Sequence, residues 1–181
     1  MPAPDTLQTE RLSGERRRAS DFDDLHRLYS DPRVSATLAA DGQPFPEEKT
    51  RQVLQASVEH WESHGFGIWN FRHKDDGRFV GYCGVRQVTI DGEPEVELLY
   101  AVRAEDWDRG YASEMAKAVI GVGFEALGFP NLVSFTLPTN RDSRRVMEKQ
   151  GFRYEKDITH AGLVHVLYRL TAAEWRRERG G

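Results

Sequence analysis

A chain of 181 residues is long enough for one domain with a substantial hydrophobic core. Its 25 basic and 29 acidic side chains leave a net charge of −4, which argues against wholesale binding of nucleic acid. Hydrophobic residues at 39% and charged residues at 30% are ordinary for a globular protein, and no apolar run approaches the roughly 20 residues that span a bilayer.

In chain order, residues 1–9 read as a loose polar leader to a single domain spanning 1–181. The basic clusters Arg16-Arg17-Arg18 and Arg176-Arg177-Glu178-Arg179 read as a solvated face and part of a flexible tail, 176–181. Ser20 to Tyr29 carries Phe22, Leu25, Leu28 and Tyr29 at helical spacing behind early acids, and Asp31-Pro32 ends that helix. A second helix is expected over about Glu47 to His64, closed by Gly65. Strands follow at Gly67–Arg72, Phe79–Val88 and Glu95–Val102, joined by turns at Lys74-Asp75-Asp76-Gly77 and Asp91-Gly92-Glu93-Pro94. A glycine turn leads into a helix over Ala112–Leu127, stopped by Gly128-Phe129-Pro130. A strand over Leu132–Leu137, a short helix over Ser143–Gln150 and two closing strands near Tyr154 and His165–Leu170 complete the pattern. Thr171-Ala172-Ala173-Glu174 is a capping box for a last helix. Helices first, then hairpins, then strand–helix–strand–helix–strand predict a mixed α/β sheet.

The segment Trp107-Asp108-Arg109-Gly110-Tyr111-Ala112-Ser113-Glu114 carries the most chemistry. A strand, a tight glycine turn and a helix N-terminus form an anion cradle, because the first-turn N–H groups have no partner within the helix. With Thr9-Glu10-Arg11-Leu12 and the run Asn140 to Phe152, this segment resembles the GNAT superfamily of acetyl-CoA-dependent N-acetyltransferases. The resemblance covers about Thr9 to Trp175. It is closest to the Rim-type branch, which acetylates N-termini of ribosomal proteins, and to small-molecule-modifying relatives.

The resemblance implies an α/β (α+β) fold: a mostly antiparallel sheet of about seven strands, helices on both faces and a splayed central strand pair. It implies acetyl-CoA as cofactor. The pantetheine arm would lie along the backbone at Tyr100 and Val102. The pyrophosphate would sit on the turn formed by Trp107, Asp108, Arg109, Gly110, Tyr111, Ala112 and Ser113. Asp108 stands where this branch usually has glycine, and Arg109 or Arg103 is expected to offset its charge. Arg144 and Arg145 either reach a cofactor phosphate or are solvated helix charges.

Direct attack by an amine on the thioester needs a neutral amine, an oxyanion donor and a proton for the thiolate. Presenting the neutral form at pH 7 costs roughly 4–5 kcal/mol for a lysine side chain and about 1.4 for an α-amine. Glu97 is the candidate base, with Glu95 on the same strand face; a structural pairing of Glu97 with an arginine is the alternative. The backbone N–H near Leu99 or Tyr100 is the expected oxyanion donor. Met147 occupies the position of a tyrosine acid in many relatives; the resemblance suggests Ser143 as the acid in its place and Asn140 as orienting the pantetheine or the hydroxyl, both at the cofactor site. Capping and turn roles remain open for both.

Cys83 is the sole cysteine. It excludes an intrachain disulfide, suits a cytoplasmic location and reads as a buried thiol rather than a nucleophile. The histidines lack metal spacing, and no metal is expected. Trp61, Trp69 and His64 are expected to line or support the acceptor groove, with packing on the sheet favoured for Trp61. The acceptor is a small-molecule or peptide amine, selected by loops around 30–46 and 155–165. No nucleic-acid or membrane partner is expected, and the chain is read as a monomer or homodimer. A non-catalytic module that binds or senses acyl-CoA is the competing class.

Overall fold

Alternating apolar residues between 67 and 102 build the centre of the structure. The computed structural model describes residues 2–38 and 40–179. Strands β3 (Ile68–His73), β4 (Phe79–Ile90) and β5 (Glu93–Val102) form an antiparallel meander. Asp91 and Gly92 turn β4 into β5 with φ of 53° and 84°. Two successive positive φ values give the hairpin turn that matches strand twist.

With β1 (Thr6–Gln8), β2 (Leu12–Arg16), β6 (Asn131–Thr136), β7 (Arg153–His160) and β8 (Leu163–Thr171), the sheet runs β1-β2-β3-β4-β5-β6-β8-β7. Every neighbouring pair is antiparallel except β5 with β6. That pair has a single ladder position, Glu97 opposite Val133, and beyond it the two strands part.

Helices cover both faces. On one face, α1 (Phe22–Tyr29) and α3 (Glu47–His64) bury Leu25, Leu28 and Leu54 against Ile68, Tyr82 and Ala101. On the other, α4 (Tyr111–Gly121) buries Met115, Ala116 and Val119 against Val80, Val85 and Leu98. Alternation along β5 separates the two sets, since successive side chains point to opposite faces. The short α2 (Pro32–Leu38), α5 (Arg141–Lys149) and α6 (Ala172–Arg179) complete the helices. The capping box of α6 forms as its sequence predicts: Thr171 N–H donates to Glu174 at 3.1 Å, and Glu174 N–H to Thr171 Oγ1 at 3.2 Å.

Several expectations need correction. The leader is not loose: β1 pairs with β2, Leu7 is buried, and Trp69 Nε1–H donates to Pro4 O at 3.0 Å. A three-residue strand is too short to show a period. It is the eighth strand where about seven were expected. Asp31-Pro32 ends α1 but also starts α2, with Arg33 N–H bonded to the Asp31 side chain at 2.9 Å and proline in the first helical position. α4 ends at Gly121 and continues as a wider turn over Val122–Ala126, where Leu127 N–H reaches Val122 O at 3.0 Å. The stretch 155–165 is a hairpin rather than a loop, turning at Ala161 and Gly162. Residues 176–179 belong to α6, and Gly180 and Gly181 of the expected tail lie outside the described residues.

Gly81 and Gly84 interrupt β4 because neighbouring backbone leaves no room for a side chain. A Cβ on Gly81 would lie 2.1 Å from Ala101 O, and one on Gly84 2.4 Å from Ile68 Cα. Gly84→Ala is expected to lower stability by about 3 kcal/mol in urea titration. Gly121→Ala, with open space at the new Cβ, is expected to be neutral or to stabilise by up to about 1 kcal/mol.

Candidate active site

The cradle forms at the β5-to-α4 connection. Gly110 is the N-cap of α4, with φ 79°. Glu114 N–H makes the first helical bond, to Gly110 O at 3.0 Å, and the amides of Gly110, Tyr111, Ala112 and Ser113 find no backbone acceptor among the described residues. These unpaired donors and the helix dipole favour an anion. Asp108 has φ 59°, in the left-handed region, which gives a backbone reason for glycine at this position. Neither expected arginine offsets its charge: Arg109 lies 3.9 Å from Asp106, and Arg103 lies 3.4 Å from Glu105. Asp106 itself is buried and takes two hydrogen bonds from Arg78, at 2.8 and 2.6 Å.

A clamp missing from the sequence reading holds the cradle in place. Glu114 Oε1 accepts from Thr9 Oγ1 at 2.6 Å and from Arg11 N–H at 2.7 Å; its Oε2 accepts from Arg11 Nε at 2.7 Å. Arg11 also donates to Arg109 O at 2.9 Å and stacks 4.4 Å over Tyr111. Burial pushes the Glu114 carboxyl up, but the bonds from Thr9 and Arg11 outweigh it and hold it below the ordinary value of 4.5.

From the cradle a cavity of about 810 Å³ passes the parted strands to the α1–α3 face. Trp107, Asp108, Gly110, Tyr111, Ala112, Ser113, Tyr100, Val102, Asn140 and Ser143 all line it, as does Glu97 at the far side. Arg109 does not, because its side chain turns to Asp106. Trp107 Nε1–H is fixed on Val102 O at 2.9 Å. Leu98 O faces β6, accepting from Ser134 Oγ at 2.9 Å. Backbone groups alternate sides along a strand, so the Tyr100 N–H, rather than that of Leu99, faces the opening.

Tyr100 also joins the two motifs. Its hydroxyl donates to Ser143 O at 2.9 Å and lies 3.0 Å from Ser143 Oγ. Burial pushes the phenol up, so it stays protonated through neutral pH. Asn140 Oδ1 accepts from Ser143 N–H at 3.1 Å, the capping role left open by its sequence. Met147 is core. Arg144 is occupied by Tyr168 and Pro138, at 3.0 and 3.2 Å, whereas Arg145 lines the cavity.

On the acceptor side, Glu97 is buried and accepts from Arg86 Nε at 2.7 Å. Glu95 does not join it: Arg169 holds Glu95 at 3.0 and 2.6 Å, away from the cavity lining. His160, unmarked in the sequence, lines the cavity close enough to feel the Glu97 charge. Burial dominates and pushes its imidazole below 6.5, so it is neutral at pH 7. His60 is also pushed down by burial, and its ring is engaged on both sides by Phe66 O at 2.9 Å and Gln87 N–H at 3.1 Å. Trp61 and Trp69 do not line the groove. Both are buried, edge to face at 5.0 Å, because Trp69 points away from the Ile68 and Asn70 face of β3. Cys83 is fully buried, and burial pushes its thiol up, away from nucleophilic thiolate.

The clamp predicts an acid-sensitive step. Glu114 has a depressed carboxyl, so its contribution is complete above about pH 4.5 and falls as pH drops through its lower folded value. Glu114→Gln is expected to cost about 1–3 kcal/mol at pH 7, with the gap to wild type narrowing in urea titrations between pH 5 and pH 3.

Residues 12–153 match the family model of the acetyltransferase (GNAT) domain. The chain is 30% identical over 167 residues to the FsC-acetyl coenzyme A-N(2)-transacetylase of Aspergillus fumigatus, covering 83% of this chain and 69% of that protein. An acetyltransferase structure from Agrobacterium tumefaciens superposes with a TM-score of 0.80 at 28% identity, covering 94% and 95% of the two chains. RimL, the ribosomal L7/L12 α-N-protein acetyltransferase, solved with coenzyme A, superposes at 0.76 with 14% identity over 92% and 97%, a likeness of fold. With the family model spanning most of its length, from Leu12 in β2 to just past the second motif, the chain belongs to the GNAT acetyltransferases.

Proposed function

We propose that this acetyltransferase moves the acetyl group of acetyl-CoA to a primary amine by direct attack, the acceptor being a peptide N-terminus or a small amine. One observation carries the reading. A single cavity joins four helix-start amides, without a backbone acceptor among the described residues, on one face of the sheet to the polar cluster of buried Glu97 and half-buried Arg86 and His160 on the other. The amides suit the pyrophosphate, and the parted strands suit the arm and its thioester.

In this reading the amine enters from the α1–α3 face and loses its proton toward Glu97 and His160. His160 is the better acceptor at neutral pH, since Glu97 is held in an ion pair while the imidazole is neutral. The amine nitrogen forms a bond to the thioester carbon, and the oxyanion meets the Tyr100 N–H. Collapse breaks the carbon–sulfur bond. Ser143 Oγ gives the thiolate its proton and recovers one through the Tyr100 hydroxyl, 3.0 Å away, while the proton taken up by His160 is released to solvent and one from solvent restores the pair. The pair replaces the tyrosine that position 147 lacks.

Thiol release from acetyl-CoA should be tested against free-N-terminus peptides, N-blocked lysine peptides, polyamines and aminoglycosides. Release with at least one amine is expected; cofactor binding with no release across the panel would favour the non-catalytic module. His160→Ala is expected to lower kcat about 10²-fold and to shift the acid limb of the rate profile. Ser143→Ala and Tyr100→Phe should lower kcat with KM for acetyl-CoA little changed. Asp108→Gly is expected to tighten acetyl-CoA binding in calorimetry, since it removes a carboxylate beside the proposed pyrophosphate site and relieves a left-handed residue.

A further inference from the structure

Arg17 belongs to a cluster that its sequence marks as a solvated face, yet only 1% of it is exposed. It follows β2, and its N–H donates to Ile68 O at 3.0 Å. Its Nε donates to Asn70 Oδ1 at 3.0 Å, and its guanidinium lies 4.5 Å over the Tyr82 ring. Both terminal nitrogens, Nη1 and Nη2, are buried without a hydrogen-bond partner among the described residues, as is Asn70 Nδ2. No carboxylate among the described residues lies within ion-pair distance of this guanidinium; Glu97, the one buried carboxylate lining this side of the sheet, is already paired with Arg86.

A buried cation with two idle donors is costly, and one bonded amide does not supply the missing charge. The cost is explained if a ligand completes the site. Arg17, Tyr29, Phe45 and Tyr82 line the acceptor end of the cavity. Tyr29 stacks on Phe45 at 4.8 Å and meets Tyr82 edge to face at 6.1 Å, an aromatic wall beside the guanidinium. In such a setting a planar fork of N–H donors selects a carboxylate, which it can bind through two parallel hydrogen bonds.

Resting on the acetyl-transfer reading above, we infer that the amine acceptor carries a carboxylate, and that Arg17 is the residue that seats it. Tyr82 pairs with Ala101 of β5, so the guanidinium lies over the strand next to the one that borders the opening. With strands about 4.8 Å apart, carboxylate and attacking amine sit on one molecule separated by several bonds. The acidic side chain of a peptide's first residue and a small amino acid both supply that chemistry. Arg17 therefore positions the acceptor and takes no part in proton transfer.

The test has a binding arm and a turnover arm. In thermal-shift and calorimetric titrations, wild type is expected to bind glutarate at least tenfold more tightly than its neutral diamide. Arg17→Met is expected to lose that discrimination while melting no lower than wild type, because an unpaired buried charge has been removed. Arg17→Lys, which keeps the charge but not the fork, should bind glutarate in between. In thiol-release assays, a peptide beginning with glutamate should exceed the same peptide beginning with glutamine at least tenfold in kcat/KM if the source is a peptide. Free glutamate should exceed glutamine if the source is a small amino acid. Equal binding of glutarate and its diamide by wild type would overturn the inference, whatever the variants do. So would a destabilised Arg17→Met that retains the preference. No release in any turnover arm, with the glutarate preference intact, would instead count against acetyl transfer and leave the carboxylate seat standing.

Discussion

The constraint that organises this protein is an interior sheet that must open without coming apart. Strand pairing satisfies backbone groups, and leaving them unpaired inside a protein is expensive. Here β5 is bonded to β4 along ten residue pairs and to β6 at one. The missing β5–β6 bonds have to be compensated locally. Ser134 Oγ takes Leu98 O, and the Tyr100 hydroxyl crosses to α5. Glycine at 81 and 84 lets β4 press against β5 and β3, so the sheet stays closely paired up to the edge of the opening.

The two mouths of the opening are built by different physics. On the α4 face the donors are backbone amides, and their position depends on where the first turn of the helix begins. That turn is tied to the N-terminal strands by Thr9 and Arg11 acting on Glu114, across more than a hundred residues of sequence. The opening tetrapeptide of the resemblance thus acquires a mechanical role: it anchors the cradle. On the α1–α3 face the groups are side chains in a largely aromatic wall. Arg86 and Glu97 pair there, whereas Arg17 has no counter-charge among the described residues. A cofactor site built from backbone tolerates sequence change, while an acceptor site built from side chains can be retuned residue by residue.

Much of this was legible in the sequence. Element order, the cradle glycine, the αL end of α3 at Gly65 and the capping box at Thr171 all follow from local chemistry. The Arg86–Glu97 pair was legible in principle: each residue is five positions from the Asp91-Gly92 turn, and a two-residue hairpin makes them cross-strand partners. Weaker local signals hid the rest. β1 is three residues long, and α2 hides behind a proline that ends one helix and starts the next. His160 and Arg17 depend on which elements meet across the sheet, and no periodicity encodes that. Three consecutive arginines look alike as letters; the end of β2 decides that the middle one turns inward while its neighbours meet solvent.

Position 147 bears on the proposed mechanism, because the methionine there packs into the core under α5 and offers no proton. Tyr100 supplies a phenol from the opposite wall, and its hydroxyl reaches both polar atoms of Ser143. A phenol kept protonated by burial donates poorly to water, yet it can hand a proton along a short hydrogen bond to a neighbour that has just lost one. In the proposed mechanism coenzyme A thiolate is a fair leaving group, so the serine hydroxyl has only to hydrogen-bond the sulfur as it departs and relay a proton afterwards. In the proposed mechanism the proton path would run between a strand and a helix capped by Asn140, whose side chain accepts from the Ser143 N–H and so fixes the serine at the start of α5.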